Sequence, residues 1–201
     1  MSLPRRSFLK SAASVVPAAG CTTLAASLSL PLGWAAEPSL AQSPSATAPP
    51  DLHVVPAGQD RFGAPHSLGF SSLAFKVATS DTAGNLFVIE HRNLMPNTGP
   101  ALHIHLSQEE WFYVMEGEVA IQVGDQRIHL RAGESVLAPR RVSHCFSAVG
   151  SPAHMLIAFT PADKMEQYFI DAAAHPSLAA TEDFMNRYDM KWVGPSPFWK
   201  T

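Results

Sequence analysis

Cysteine is nearly absent from this chain, with only Cys21 and Cys145 in 201 residues. Charge is sparse too, at 15% of residues, and no acidic residue precedes Glu37. With 14 Lys and Arg against 17 Asp and Glu, the formal net charge is −3. The broad basic surface that nucleic-acid binding relies on is therefore missing, and no nucleic-acid partner is expected. Disorder is excluded from the other side, because 46% of residues are apolar. A convincing helical period is lacking throughout Leu73 to Phe159, which excludes a helical bundle for the central part.

The few charges before Glu37 are Arg5, Arg6 and Lys10. They lie in Arg5-Arg6-Ser7-Phe8-Leu9-Lys10, ahead of an uncharged Ala/Ser-rich stretch that ends at Ala36. A basic start, an apolar middle and small residues at the end make an export signal. The arginine pair resembles the twin-arginine class, with Pro4 where that class usually has Ser or Thr. The resemblance implies cargo folded before transport, the twin-arginine machinery as a partner, and a periplasmic or otherwise exported location. Residues 11–36 are long enough to span a bilayer, but Pro17, Gly20, Pro31 and Gly33 make the run a poor anchor. Cleavage after Ala35 is expected, and lipidation at Cys21 is the alternative.

Loss of residues 1–35 leaves 14 − 3 = 11 basic and 17 acidic residues, a net charge of −6. It also leaves Cys145 alone, so stability must come from the core and any bound metal rather than from a disulfide. Residues 36–60 carry Pro38, Pro44, Pro49, Pro50 and Pro56 among Ser, Ala and Gln and read as a flexible linker. The expected plan is a signal peptide over 1–35, a linker over 36–60, a barrel over 61–160 and a tail over 161–201.

From Leu73 onward apolar residues alternate in short runs broken by turns. Leu73, Phe75 and Val77 share one face, and Leu86 to Ile89 make the next run. Val119, Ile121 and Val123 meet Ile128 and Leu130 across a turn at Gly124-Asp125. Val136 to Ala138 and Met155 to Phe159 follow. Short strands with closely spaced turns indicate an all-β antiparallel sandwich or barrel. Thr160-Pro161-Ala162-Asp163 then reads as a helix start, with Met165, Phe169 and Ala172 along one face. A second short helix is expected over Thr181 to Tyr188. The aromatic ending, Trp192 to Trp199, is expected to pack over the barrel or across a subunit boundary.

The stretch that carries chemistry runs from Gly99 to Gly117. On a strand, His103 and His105 point to one side, because alternate residues share a face. Glu110 opens a second strand after a hairpin-length gap, and His144 follows 41 positions past His103. Three imidazoles and a carboxylate suit one divalent first-row metal and can leave positions open for substrate or oxygen. Phe112, Val114 and Phe146 share the ligand face and are expected to wall an apolar pocket.

These residues resemble the cupin superfamily. His103, His105, Glu110 and Gly117 match its first motif; Gly133, Pro139 and His144 match its second. The six-residue spacing to Gly117 selects Glu110 over Glu109, which is read as a solvated turn residue. Asn97, Arg141 and Ala148 depart from the motifs, at two glycines and an Asn. The resemblance covers about residues 65 to 160 and implies a double-stranded β-helix, a jelly-roll barrel with a short helical tail. The tail is similar to that of small single-domain quercetin-dioxygenase-like cupins, which implies a metal-dependent dioxygenase acting on a small enol or phenol, with Glu110 as general base, and a homodimer. Non-redox isomerisation or decarboxylation, or ligand binding without catalysis, are the alternatives.

Manganese or iron is favoured as the metal over nickel, copper or zinc. Imidazole sites prefer copper and zinc by intrinsic affinity, whereas folding before export lets the cytoplasm choose. His53, His66, His91, His129, His154 and His175 lack partners in a motif and are read as surface or packing residues. Cys145 is read as a small core residue facing away from the metal. Trp111 and Tyr113 are expected under the C-terminal helices or at a dimer contact.

Overall fold

The computed structural model describes residues 52–64 and 66–200. The export signal, Cys21 and most of the linker lie outside the described residues.

Eleven strands form two antiparallel sheets that face each other. They are β1 (His66–Ser67), β2 (Ser72–Val77), β3 (Phe87–Leu94), β4 (Leu102–His105), β5 (Glu109–Glu116), β6 (Glu118–Val123), β7 (Gln126–Arg131), β8 (Ser135–Ala138), β9 (His144–Ala148), β10 (Ala153–Thr160) and β11 (Met190–Gly194). One sheet has the order β1-β2-β3-β10-β5-β8 and the other β11-β4-β9-β6-β7. This is the antiparallel barrel expected from the alternation, in the double-stranded β-helix form that the cupin resemblance implies. Burial follows the period of two: in β10, Ala153, Met155, Ile157 and Phe159 are buried and their neighbours are not. The hairpin β6–β7 has the anticipated register, with Val119 opposite Leu130 and Ile121 opposite Ile128.

Aromatic rings dominate the core between the sheets. Phe75 meets Phe87 edge-on at 5.0 Å, and Phe87 lies 6.0 Å from Phe159. Each such ring contributes roughly 1.5–3 kcal/mol of burial. The series continues into helix α1 (Met165–Ala174), whose Phe169 is 5.6 Å from Phe159. Helix α2 (Glu182–Asn186) adds Phe184 and Met185 to the same cluster.

Two local expectations are corrected and one is made specific. The helix anticipated from Thr160 begins at Met165, with Lys164 at its N-cap, because Thr160 still pairs with Glu109 as the last residue of β10. The aromatic ending does pack on the barrel, but it opens as a strand, β11, paired with β4. Trp111 and Tyr113 do not lie under the C-terminal helices, which sit at the barrel mouth; they stack on each other at 5.8 Å on the outer face of the sheet, where the alternative of a dimer contact would place them.

The last linker residues are tied to β2. Asp60 is buried, and its carboxylate accepts from the Phe75 and Phe62 amides, each at 2.7 Å. Lys76 Nζ donates to the carbonyls of Pro56 and Gln59. No helix among the described residues is long and apolar enough to cross a membrane.

Candidate metal centre

His103 and His105 alternate on β4, so both project between the sheets. His144 opens β9 directly opposite His103. Glu110 comes from the other sheet, where β5 pairs it with Phe159 and Ala138. The four side chains are buried, and one ligand atom from each lies within 4.8 Å of all the others. His103 Nε2 is 3.2 Å from His105 Nε2. Glu110 Oε2 is 2.7 Å from His144 Nε2 and 3.1 Å from His105 Nε2. Glu109 instead turns outward onto Arg140 in a two-pronged ion pair.

The second ring nitrogens show what this group is prepared to hold. His103 Nδ1 donates to the Ala101 carbonyl at 2.8 Å, and His144 Nδ1 donates to the Val142 carbonyl at 3.0 Å. With the protons there, both Nε2 atoms present lone pairs toward the cluster, the orientation a metal-ligating imidazole takes. A lone pair and a carboxylate oxygen at hydrogen-bond distance repel unless a cation, a proton or a metal ion, sits among them. The residues therefore fit a metal ion by the chemistry of their donor set.

Charge points the same way. Burial, aided by His144 and His105, pushes His103 down to about 3, so it is a neutral donor across the working range. Burial also drives His105 down, against the pull of Glu110. For Glu110, burial acts upward, but His105 and His144 outweigh it and hold the carboxyl well below its ordinary range.

The loops that present these ligands keep a left-handed backbone where the motif departs from glycine: φ is 59° at Asn97 and 66° at Arg141. The Arg141 amide donates to the His105 carbonyl at 2.7 Å, so this strained turn fastens the ligand strand. Gly99 has no such freedom, because a Cβ there would lie 2.0 Å from the Phe146 carbonyl oxygen.

Beside the cluster lies a cavity of about 210 Å³. Its walls include His103, His105, Glu110 and Phe146, but not Phe112 or Val114. That corrects the expected wall. A strand rises about 3.3 Å per residue, so Phe112 and Val114 sit roughly 7 and 13 Å beyond Glu110, in the closed core. Phe112 there lies edge-on to His144 and Phe146. The wall is completed instead by Phe159, by Met165, Tyr168 and Phe169 of α1, by Met185 of α2, and by Trp199. The apolar face of α1 was legible from its spacing; its position over the barrel mouth was not.

His91 is the polar wall residue that spacing passed over. It is buried on β3, inward like Phe87 and Ile89, and lines the cavity. The other non-motif histidines do not enter the cluster: His66 stacks on Phe75, His129 pairs with Glu118, and His154 bonds Glu90. Cys145 is buried with its thiol pushed up to about 11 by burial, which leaves it unreactive.

Residues 91–159 match the family model described as "Cupin domain". Comparison with curated proteins gives no match. Among solved structures, an RmlC-like cupin from Shewanella frigidimarina is 19% identical, covering 51% of this chain and 87% of its own, with a TM-score of 0.45. KdgF from Halomonas sp. is 15% identical, covering 49% and 86%, with a TM-score of 0.44. A predicted oxalate decarboxylase from Thermotoga maritima is 17% identical, covering 45% and 80%, with a TM-score of 0.43. With its two facing sheets and its buried His₃Glu group, the stretch from His91 to Phe159 is a cupin domain, of the cupin superfamily.

Proposed function

We propose that His103, His105, Glu110 and His144 hold one divalent first-row metal ion, and that the protein is a dioxygenase for a small, largely apolar enol or phenol. The observation that carries the reading is the union of a buried three-imidazole, one-carboxylate group with an apolar cavity that opens onto it. About 210 Å³ is somewhat more than the ~150 Å³ that takes benzene, which favours a substrate of one substituted ring.

A bound ion would acidify the substrate hydroxyl and supply the redox-active position for oxygen chemistry. The chain does the rest. Backbone carbonyls hold His103 and His144 in the ligating tautomer. Glu110, ionised throughout the working range, accepts the hydroxyl proton on a carboxylate oxygen. Phe146, Phe159 and Phe169 orient the ring, and α1, α2 and Trp199 keep water out.

The native ion in this proposal is manganese or iron, because the Arg5-Arg6 leader supports folding before export. Elemental analysis of protein from its native compartment tests that part, and copper or zinc alone counts against it. Oxygen uptake with one-ring enols and phenols, beside a flavonol, tests the reaction. Equal turnover under strict anaerobiosis would replace the dioxygenase reading with a non-redox one. Activity unchanged in both His103→Ala and Glu110→Ala would remove the cluster from the chemistry.

A further inference from the structure

The cavity has a second polar feature besides the His₃Glu group. Three other lining side chains carry polar atoms, and two of them spend those atoms on the protein: Tyr168 Oη donates to the Ala179 carbonyl at 3.2 Å, and Trp199 Nε1 to the Gly99 carbonyl at 3.1 Å. The third is His91, which is 1% exposed. Its Nδ1 meets Ser71 Oγ at 3.0 Å, while its Nε2 is buried with no hydrogen-bond partner among the described residues. An unpartnered buried ring nitrogen is costly to keep unless something else uses it.

The buried hydroxyl beside it decides which kind of partner that is. Among the described residues, Ser71 Oγ has His91 Nδ1 as its one hydrogen-bond partner. If Nδ1 carried the ring proton, it would donate to Ser71, and the hydroxyl hydrogen would be buried with nothing to accept it. If the hydroxyl donates to Nδ1, both groups are satisfied and the ring proton moves to Nε2. The ring stays neutral, since burial pushes it down to about 3, so it has one proton to place. Nε2–H is then a fixed, buried donor on a residue that lines the cavity, on a strand position that alternates with the outer-face Arg92.

We propose that His91 is a specificity-determining residue: its Nε2–H donates to an oxygen of the ligand other than the one presented to the metal cluster. The ligand class is thereby narrowed to small, mostly apolar molecules with a second oxygen acceptor, such as a ring carbonyl, ester or ether. This rests on the reading that the cavity is the ligand site; it does not require that the reaction be oxidative.

The test uses the metal-free full chain and two probes of nearly equal shape, acetophenone and α-methylstyrene, which differ by an oxygen in place of a methylene. NMR titration yields the ratio of their dissociation constants in wild type, Ser71→Ala and His91→Phe. Loss of the His91 donor is expected to shift the ratio against acetophenone by about threefold to tenfold, and Ser71→Ala by less, in the same direction. Metal content after reconstitution is expected to be unchanged in both variants.

A ratio within twofold of wild type in both variants overturns the assignment while leaving the cavity reading intact. Failure of either probe to bind wild type overturns the cavity reading and the assignment with it. Loss of metal in His91→Phe, with the fold retained, would make His91 a ligand and overturn its role as a donor. Should His91→Phe not fold, the ¹⁵N spectrum of wild-type histidine decides: a proton on Nδ1 rather than Nε2 sinks the proposal.

Discussion

Two carboxylates lie buried in the six-stranded sheet, one on each face. Glu90 on β3 faces outward and is met by Arg92 Nε at 2.9 Å, His154 Nε2 at 2.6 Å and Lys76 Nζ at 3.1 Å. Glu110 on β5 faces inward and meets His144 and His105 at similar distances. Burial acts on both to raise the carboxyl, and in both the neighbours win and lower it. The difference is in what those neighbours bring. Lys76 and Arg92 carry permanent charge, so the charge of the outer group is balanced within the chain. In the inner group the Nδ1 protons of His103 and His144 are committed to backbone carbonyls, and their Nε2 atoms offer lone pairs where the outer group has cations. An ion pair that closes on itself is architecture, whereas a buried set of acceptors calls for a cation.

The sharpest way to break this contrast is metal content. Glu110→Gln and His103→Ala are expected to lower metal affinity by at least about 100-fold, while Glu90→Gln keeps wild-type stoichiometry by elemental analysis. Equal loss in all three variants would mean that the outer group matters to the site as much as the inner one.

Stability should separate the two carboxylates by magnitude. Glu90→Gln strips three partners of their acceptor. Lys76 and Arg92 can partly turn to water, so the expected cost is about 2 kcal/mol rather than the 3–5 typical of a fully buried pair. Metal-free Glu110→Gln is expected to cost less, about 1 kcal/mol, because the amide loses the favourable hold of His105 and His144 on the carboxylate but can still donate an N–H to an imidazole lone pair. Denaturant melts with chelator present measure both; equal destabilisation of the two variants would erase the distinction.

A pH series probes the third kind of buried polar group, His91, which has one partner instead of three. Its folded value of about 3 lies below the ordinary 6.5. The unfolded chain therefore binds its proton first, and the stability present above 6.5 is lost as pH falls toward 3. Between pH 7 and pH 5 the loss from this one residue is about 2 kcal/mol. In His91→Gln, the fall in metal-free stability over that interval should shrink by about that amount. An unchanged pH profile would mean that His91 is not held neutral by burial.

The smallest effect is expected at Arg141. Glycine there removes a left-handed side-chain clash but frees the unfolded backbone, for a net gain below about 1 kcal/mol and no change in metal content. A loss of metal would show that the Arg141 side chain, and not only its amide bond to His105, shapes the centre.

Much of the barrel was legible because strand alternation is a local property. Val119, Ile121, Ile128 and Leu130 announced a hairpin and its register, and His103-x-His105 announced two imidazoles on one side. Alternation also assigned Phe112 and Val114 correctly to the inward face. It carries no information on height along the barrel, which is why these two proved to be core and not cavity wall. The same blind spot hid His91, whose phase with Phe87 and Ile89 was readable but whose exposure to the cavity was not. The start of α1 was misplaced because the cap-like residues Thr160 to Asp163 compete with strand pairing to Glu109, and the pairing wins.

Residue spacing by itself determined that this chain makes paired strands with three imidazoles and one carboxylate on their inner faces, since a period of two and a few turn residues suffice to set side-chain direction. Only the tertiary structure decided what surrounds that group. The lid of α1, α2 and Trp199, the pairing of β11 with the ligand strand, and the Ser71–His91 bond all join residues distant in the chain. Such contacts are selected by packing over the whole barrel, and no local pattern encodes them.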